Sequence, residues 1–386
     1  MTAGASWKHL FRRALDAAPG RLHFAAHSHH LWPDASYDGQ LACWADAARL
    51  ADLKWGRVME EIWPAAQRHV AAELRLPDPA SVAFAGNTHD FLIRIVSAHP
   101  RRPLRVLASD GEFHSFRRQA ARWAEAGAIA LETMPVAGAD FTGRFLARVR
   151  SGAHDLIWLS QVMFGTGHVF TALDALAALA RPEGPWVVVD GYHGFMAVET
   201  DLSPVADRLF YVAGGYKYAM AGEGAAFLHA PPGYGPRPEI TGWYAEFKDL
   251  AAPPGRIGYA ADARRFLGAT FDPSGLYRFV AVRDMLAAEG LDTPAINAWT
   301  TRLRDRLLAR VGETPLAAAR LLNPPGEGPQ ARFLAFAHPQ AQAWQAALER
   351  AGTIVDVRGE VLRIGFGLYL DESDVDRLVE VLARQL

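Results

Sequence analysis

Two stretches near the middle of the chain decide the fold: WVVVDGYH at residues 186–193 and RLFYVAGGYKY at residues 208–218. Each contains an apolar run with the length and composition of a buried β-strand. A charged side chain follows each run, Asp190 in the first stretch and Lys217 in the second. We therefore expect Asp190 and Lys217 to lie at the ends of successive strands.

Strands and helices alternate on both sides of these two stretches. Apolar patterning predicts helices at 90–98, 115–126, 141–150 and 173–180, and β-like runs at 82–85, 104–109, 129–136, 155–162, 186–190, 208–214 and 225–230. This alternation is typical of an α/β fold with a mainly parallel sheet, here seven-stranded, covered by helices on both faces. Such sheets bind ligands beyond the carboxyl ends of their strands.

The remaining sequence predicts two further parts. Helical patterning at 36–50 and 57–76 precedes the sheet, and a smaller α+β unit begins near residue 297, with strands at 333–337, 354–357 and 361–366 and a last helix from 372. We expect an N-terminal segment (1–50) packed on the small domain, a large domain (51–273) and a C-terminal small domain (274–386).

Composition excludes several classes of protein. The 386 residues carry 40 basic and 42 acidic side chains and a net charge of −2, which gives no field for holding nucleic acid. No apolar run reaches the roughly 18 residues that a membrane helix needs, and the N-terminus has no apolar signal core. The single cysteine, Cys43, excludes an intrachain disulfide framework. We expect a cytoplasmic protein.

Lys217 needs its own explanation, because the chain has only three other lysines, Lys8, Lys54 and Lys248. A lysine beside an apolar strand is costly unless it is paired or used in chemistry, and burial can make its amine a nucleophile. Pyridoxal 5'-phosphate (PLP) requires a lysine for its Schiff base and a carboxylate beside its pyridine nitrogen. Lys217 and Asp190 fit that pair, although a solvated lysine and a turn-capping aspartate are the ordinary alternatives.

Other residues match the remaining needs of PLP less specifically. Asn87 and Thr88 begin a predicted helix, where backbone N–H groups bind phosphate, but an Asn/Thr cap is common without any ligand. Phe113 follows a strand and could stack on the ring, although alone it is more typical of a core residue. Ser160 ends another strand and could reach the cofactor.

Three competing interpretations carry less weight. Gly165-Thr166-Gly167 after a strand suggests a dinucleotide-binding loop, but Phe170 stands where that motif needs its third glycine, and Lys217 is left unexplained. His27, His29 and His30 cluster without metal-ligand spacing, so we expect no metal. A non-catalytic binding protein on the same fold would have no need for the Lys217 amine.

The chain resembles the class V aminotransferase superfamily of PLP-dependent enzymes of fold type I, and within it the kynureninase branch. The resemblance covers most of the chain and rests on Asp190-x-x-His193, Tyr216-Lys217-Tyr218, Thr241-Gly242-Trp243, Asp356-x-Arg358 and Leu362-Arg363. It implies a homodimer with its active site at the interface. It also implies that Lys217 binds PLP covalently and moves the substrate's Cα proton, that Asp190 pairs with the pyridine nitrogen near His193, and that Arg363 binds the substrate carboxylate. The cofactor contacts that it implies are Asn87, Thr88, Phe113, Ser160, Asp190, His193, Tyr216, Lys217, Trp243 and Thr270, the last across the dimer interface.

The departures from kynureninase affect the substrate residues. Kynureninases usually have a small residue at Tyr192, an asparagine at Asp272 and a Gly-Asn-Ser-Leu-Gly pattern at 26–30. Cys43 is too near the N-terminus to serve as a cysteine desulfurase nucleophile. We therefore expect an enzyme acting on an α-amino acid, with transamination as the leading reaction, kynureninase-type Cβ–Cγ hydrolysis as the alternative, and a nucleotide-dependent oxidoreductase as a distant one.

Overall fold

The structure, a computed structural model, describes residues 6–138, 140–249 and 255–386. Its strands within those ranges are β1 (Leu22–His23), β2 (Val82–Ala85), β3 (Leu104–Ser109), β4 (Ile129–Met134), β5 (Leu156–Ser160), β6 (Trp186–Asp190), β7 (Leu209–Ala213), β8 (Ala226–His229), β9 (Arg320–Leu321), β10 (Phe333–Ala337), β11 (Thr353–Ile354), β12 (Asp356–Arg358) and β13 (Val361–Gly365). Its α-helices are α1 (Arg12–Asp16), α2 (Asp34–Leu50), α3 (Lys54–Arg57), α4 (Trp63–Leu74), α5 (Thr88–Ala98), α6 (His114–Glu125), α7 (Phe141–Ser151), α8 (Leu173–Ala177), α9 (Ser274–Ala288), α10 (Thr293–Arg310), α11 (Ala341–Arg350) and α12 (Glu372–Gln385).

The large sheet has seven strands in the order β2-β8-β7-β6-β5-β3-β4. Every neighbouring pair is parallel except those of β8, which runs antiparallel to both β2 and β7. The residues of β5 and β7 are buried throughout, because helices cover both faces of the sheet. The predicted fold class, a mainly parallel seven-stranded sheet, is therefore confirmed.

The smaller sheet is antiparallel, in the order β12-β13-β10-β9, and carries α11 and α12 with their apolar residues buried. The N-terminal segment joins this part of the molecule. In it β1 pairs in parallel with β11, and Ala25 forms a bridge to Gly365 at the end of β13. Our division of the chain into three parts remains a prediction.

One predicted helix is interrupted. The patterning at 57–76 predicted a single helix, but a π-helical turn, Val58–Ile62, separates α3 from α4. Pro64 follows this turn. A proline has no N–H to donate to the preceding turn, and its ring crowds the carbonyl there, so the helix widens just before it.

Within the described residues, no helix has both the length and the apolar character needed to cross a membrane.

Candidate active site

A cavity of about 1340 Å³ opens at the carboxyl ends of β5, β6 and β7. The strand register places Ser160 opposite Asp190, and Asp190 opposite Val212, so the side chains that follow these strands meet at one edge of the sheet. Eight predicted site residues line this cavity: Asn87, Thr88, Phe113, Ser160, Asp190, His193, Tyr216 and Lys217. The fold thus brings residues that are up to 130 positions apart in the sequence around a single cavity.

Lys217 is buried at the floor of the cavity, with 5% of its surface exposed. Its Nζ lies 2.7 Å from Nε2 of His193. Three rings surround the amine, with centroids 4.7 Å away for Tyr192 and 5.6 Å away for Phe113 and Tyr216. Burial lowers the pKa of Lys217 to about 7, and the charge of Asp190 opposes part of that shift. A large share of the amine is therefore neutral, and nucleophilic, near neutral pH.

His193 is a neutral base beside the lysine. Burial lowers its pKa well below the usual value, and the nearby charge of Lys217 lowers it further. Its Nε2 contacts the lysine, whereas its Nδ1 is buried with no hydrogen-bond partner among the described residues. A neutral imidazole has one donor and one acceptor nitrogen, so it can hold the Lys217 amine in a fixed orientation.

Asp190 presents a carboxylate to the same cavity. One oxygen, Oδ1, accepts the backbone N–H of Tyr192 at 3.0 Å. Burial raises the pKa of Asp190, and Lys217 opposes that shift. Among the residues that the structure describes, none forms an ion pair with Asp190 within 4 Å. A desolvated carboxylate facing a cavity needs a cationic partner, and a protonated pyridine nitrogen is one.

The start of α5 forms another wall. The side chain of Asn87 caps the helix by accepting the backbone N–H of Asp90 at 3.0 Å. Gly86, Asn87, Thr88 and His89 all line the cavity. Since the first-turn N–H groups of a helix have no carbonyl partners within it, this wall suits a phosphate. The cap uses the side-chain oxygen of Asn87, whereas its amide nitrogen carries the N–H groups that can donate to such an anion.

Glu112 is a functional candidate that sequence reasoning missed. Its side chain is fully buried and accepts the Oγ hydroxyls of Ser109 and Ser160, each at 2.5 Å. Burial raises the pKa of Glu112 to about 7, against the effect of the two hydroxyls. With Glu112 ionised, the Ser160 hydroxyl donates to its carboxylate and keeps its lone pairs for a cofactor.

Arg363 lies behind the cavity wall rather than on it. The guanidinium is 2% exposed and donates from Nη1 to the carbonyl oxygen of Phe164 at 2.6 Å. Its Nη2 contacts Asp356, its cross-strand neighbour between β12 and β13. The ring of Phe164 lines the cavity. The predicted carboxylate-binding arginine is therefore adjacent to the site but engaged with groups of its own chain.

Trp243 and Thr270 lie outside the cavity. Trp243 is 45% exposed in a 3₁₀-helical segment, Trp243–Asp249, and Thr270 is exposed in the connection before α9. Neither lines the cavity of its own chain. A cofactor contact through either residue requires a second copy of the chain. Cys43 lies on α2 and is also absent from the cavity lining.

The segment that suggested a nucleotide loop is a turn instead. Val162 and Val169 form an antiparallel bridge, and Met163 and His168 are hydrogen bonded across it. Gly167 packs against Asn323, where a Cβ would lie 2.3 Å from the amide nitrogen. No helix begins there, since the next one, α8, starts at Leu173. The dinucleotide interpretation is wrong, because no helix N-terminus follows its glycines to bind a pyrophosphate.

This fold and site define a class before any individual relative is considered. The mainly parallel seven-stranded sheet, the small C-terminal sheet and the placement of Lys217 and Asp190 on one cavity after successive strands are those predicted for a PLP-dependent enzyme of fold type I. Known proteins agree with that class. Residues 296–382 match the kynureninase C-terminal domain family.

Similar proteins extend this match to the rest of the chain. Over 362 residues it is 28% identical to isopenicillin N epimerase from Streptomyces clavuligerus, covering 87% of each chain. A solved structure of a C-DES mutant, with glycine covalently linked to its PLP cofactor, superposes with a TM-score of 0.81 at 16% identity over 99% of this chain and 100% of that one. Cysteine desulfurase CsdA from Escherichia coli superposes with a TM-score of 0.78 at 18% identity over 98% and 97% of the two chains.

These similarities confirm the predicted fold type and the predicted likeness to the class V aminotransferase superfamily and its kynureninase branch. They also agree with PLP as the cofactor, because a structure of the same fold contains it. The structural neighbours, at under 20% identity, are evidence of fold alone. The reaction has to be argued from this chain's own residues.

Proposed function

We propose that this protein is a PLP-dependent enzyme acting on an α-amino acid, in which Lys217 anchors the cofactor and moves the substrate's Cα proton. The observation that carries the proposal is the Lys217 amine itself. It is buried, has a pKa of about 7, and lies 2.7 Å from a neutral histidine at the floor of a large cavity. A lysine without such a use is rarely buried.

The other walls of the cavity fit the same cofactor. Asp190 supplies a carboxylate without a cationic partner among the described residues, and the start of α5 at Asn87 and Thr88 supplies N–H groups for a phosphate. Phe113 is a partly exposed ring beside Lys217 that can cover one face of a pyridine ring. When bound, PLP withdraws the electrons released at the substrate's Cα.

Lys217 is suited to act first as a base and then as an acid. Its neutral amine can accept the Cα proton, because its pKa of about 7 leaves a large neutral fraction near neutral pH. His193 keeps the amine oriented through the 2.7 Å contact. Once protonated, the ammonium lies within 4.7 Å of the Tyr192 ring and 5.6 Å of the Tyr216 ring, which stabilise a cation.

Transamination is the leading reaction, since it requires no acid–base group beyond Lys217. With PLP bound, the Lys217 ammonium would return the proton that its amine removed from Cα, and water would supply the oxygen of the released 2-oxo acid. The amino group would stay with the cofactor until an acceptor 2-oxo acid takes it. Kynureninase-type hydrolysis is the alternative. It has less support because Asp272, at the position of the kynureninase asparagine, accepts the backbone N–H and the hydroxyl of Ser274, so both of its carboxylate oxygens are engaged at the start of α9.

Epimerisation at Cα is a second candidate, favoured by the similarity to isopenicillin N epimerase. It requires a proton donor on the face of the substrate opposite Lys217 as well as a base. Burial raises the pKa of the Tyr192 phenol well above its usual value, so this group stays protonated, but its ring lies 4.7 Å from the Lys217 amine and so on the lysine's own side. The three reactions share Lys217 and differ in their products.

The absorption spectrum of the purified protein with added PLP tests the anchor. We expect a visible band in the wild type and in Lys54→Ala, a matched surface control, but not in Lys217→Ala. Borohydride reduction followed by peptide mass spectrometry should place the cofactor on residue 217. A wild type that stays colourless with excess PLP, or a modification on another residue, would refute the proposal.

Product analysis of an amino-acid screen then separates the reactions. Conversion of PLP to its amine form together with a 2-oxo acid identifies transamination. Anthranilate released from kynurenine identifies hydrolysis, and a D-amino acid formed from an L-amino acid identifies epimerisation.

We also propose that the enzyme works as a homodimer in the cytoplasm. A dimer is supported by Trp243 and Thr270, which match cofactor contacts of the resembled family yet lie outside their own chain's cavity. A reducing compartment is supported by the single cysteine in the sequence.

A further inference from the structure

The guanidinium of Arg363 already holds a carboxylate that belongs to its own chain. Asp356 lies opposite Arg363 in the β12–β13 pair, and its Oδ2 contacts Nη2 of the arginine. Its other oxygen, Oδ1, lies 2.8 Å from Nη1 of Arg358. Asp356 therefore bridges two guanidinium groups. Since Arg363 is 2% exposed, this carboxylate also removes the cost of an unpaired buried cation.

A second polar side chain, His27, lies near the same oxygen. Nε2 of His27 is 3.8 Å from Oδ2 of Asp356, beyond hydrogen-bond distance. His27 is fully buried, and neither of its ring nitrogens has a hydrogen-bond partner among the described residues. Burial and the nearby charge of Arg363 lower the pKa of His27 well below its usual value, so the ring is neutral and has one N–H to donate.

His27 is fixed in this position. Its ring stacks on that of Phe333 with centroids 4.8 Å apart. On the other side it contacts the backbone at Gly365, where any Cβ would lie 2.2 Å from Nδ1 of His27. A buried N–H without a partner is destabilising. The carboxylate of Asp356, 3.8 Å away, would become its partner after a small shift toward the ring.

We propose that Asp356 is an internal stand-in for the substrate carboxylate. It occupies Arg363 until a substrate binds and then moves onto His27. The inference rests on the proposed function, because it takes Arg363 as the group that binds the substrate carboxylate. A shift of about 1 Å would shorten the 3.8 Å separation from His27 to an ordinary hydrogen bond. The contact with Arg358 through Oδ1 keeps the displaced carboxylate paired.

This exchange makes the site selective for ligands with a carboxylate. A ligand without a carboxylate cannot replace Asp356 as the partner of Arg363, so the Asp356–Arg363 ion pair remains intact. A carboxylate ligand must compete with Asp356, so its affinity is lower than the arginine alone would give. Asp356 is thus a specificity-determining residue that acts through Arg363 and never touches the reacting atoms.

The two partners of the exchange should respond to mutation in opposite directions. Asp356→Asn removes the competing charge and should tighten the binding of a monocarboxylate about fivefold or more. His27→Leu removes the group that receives Asp356 and should weaken that binding by a similar factor. A residue that merely positioned Arg363 would weaken binding in both variants.

Calorimetric titration of the holoprotein with 3-phenylpropionate, a carboxylate without an amine, provides the test. Its amide, 3-phenylpropionamide, is the ligand control and should bind neither the wild type nor Asp356→Asn. Asp376→Asn is the matched protein control. That variant also removes a small-domain carboxylate paired with two arginines, Arg306 and Arg310, but at a distance from the site.

The outcomes separate the inference from the proposed function. If Arg363→Ala binds 3-phenylpropionate as tightly as the wild type, Arg363 is not the carboxylate site, and that part of the proposed function fails. If Arg363→Ala abolishes binding and Asp356→Asn leaves it unchanged or weaker, the exchange is overturned while Arg363 keeps its role. If Asp356→Asn does not fold, His27→Leu alone decides the question, since unchanged or tighter binding there contradicts the exchange.

Discussion

The side-chain amine of Lys217 lies 2.7 Å from Nε2 of His193, and both groups are buried beneath the same cavity. Burial favours the neutral form of each, because it lowers the pKa of both. Two neutral nitrogen bases in contact can share one proton without placing two like charges side by side. The pair can therefore hold an incoming proton at Lys217 Nζ while His193 accepts a hydrogen bond from it.

The first prediction concerns the pH dependence of covalent PLP uptake. Only the neutral amine of Lys217 attacks an aldehyde, so the initial rate of uptake by apoprotein should rise with pH and level off above about pH 7. Stopped-flow absorbance measures this rate. The Asp190 carboxylate raises the pKa of Lys217, so Asp190→Asn should move the midpoint to lower pH.

Lys54→Ala should leave the midpoint of this uptake unchanged, because Lys54 is not part of the cavity lining. A midpoint near the ordinary lysine value, with the rate still rising at about pH 10, would show that burial does not set the reactivity of Lys217.

The second prediction concerns Glu112 and protein stability. Its pKa is about 7 in the folded protein and 4.5 when solvated, so between those values the folded state binds more protons than the unfolded state. Its contribution to the free energy of unfolding is therefore lost as pH rises from about 4.5 through about 7. Relative to wild type, Glu112→Gln should be more stable at about pH 8 than at about pH 5, by on the order of a few kcal/mol.

Urea denaturation of the apoproteins at the two pH values measures this difference. Glu125→Gln, which removes an exposed carboxylate on α6, is the control and should show little change in its stability difference with pH. A difference between Glu112→Gln and wild type that does not vary with pH would mean that Glu112 ionises normally in the folded protein.

The sequence was informative wherever a local signal sufficed. Strand ends could be located from apolar runs, so Asp190 and Lys217 could be placed at one edge of the sheet before their contacts were known. The strands at 82–85, 104–109, 186–190 and 333–337 have the predicted bounds. Pattern and spacing are local properties, which is why they succeeded here.

Contacts that depend on strand register could not be predicted from the sequence. Glu112 is hydrogen bonded to Ser160, which is 48 residues later in the sequence. His27 lies near Asp356, although the two residues are at opposite ends of the chain. Nothing in the local sequence marks either pair. The Asp356–Arg363 contact is a partial exception, since both residues belong to segments that carry the family resemblance, and a two-strand register would have suggested the pairing.

The third prediction separates the capping role of Asn87 from its role at the cavity. Asn87→Ala removes the cap of α5 and should lower the free energy of unfolding by about 1 kcal/mol. It should also weaken PLP binding severalfold, because the first turn of α5 lines the cavity and loses its fixed orientation. Equilibrium dialysis measures the cofactor affinity and urea denaturation measures the stability.

Asp292→Ala is the matched control for Asn87→Ala. Asp292 caps α10 by accepting the N–H of Ala295 at 2.8 Å and is not part of the cavity lining. Asp292→Ala should lower the free energy of unfolding by about as much as Asn87→Ala and leave the PLP affinity unchanged. Equal losses of PLP affinity in the two variants would indicate a general effect of stability rather than a phosphate site at α5.

The fourth prediction tests whether Thr270 serves the cavity of a second subunit. Lys217→Ala lacks the covalent anchor, whereas Thr270→Val lacks the hydroxyl and keeps the shape of the side chain. In a homodimer that shares Thr270 across its interface, a mixed dimer of these variants has one complete site. Mixing equal amounts of the two proteins under conditions of subunit exchange should therefore restore high-affinity PLP binding at about a quarter of the wild-type amplitude, because half of the dimers are mixed and each mixed dimer has one complete site. Titration of the visible band at limiting PLP measures it. If Thr270 acts within its own chain or not at all, subunit exchange cannot create a site with higher PLP affinity than that of Thr270→Val. The mixture then shows only the sum of the two separate titrations.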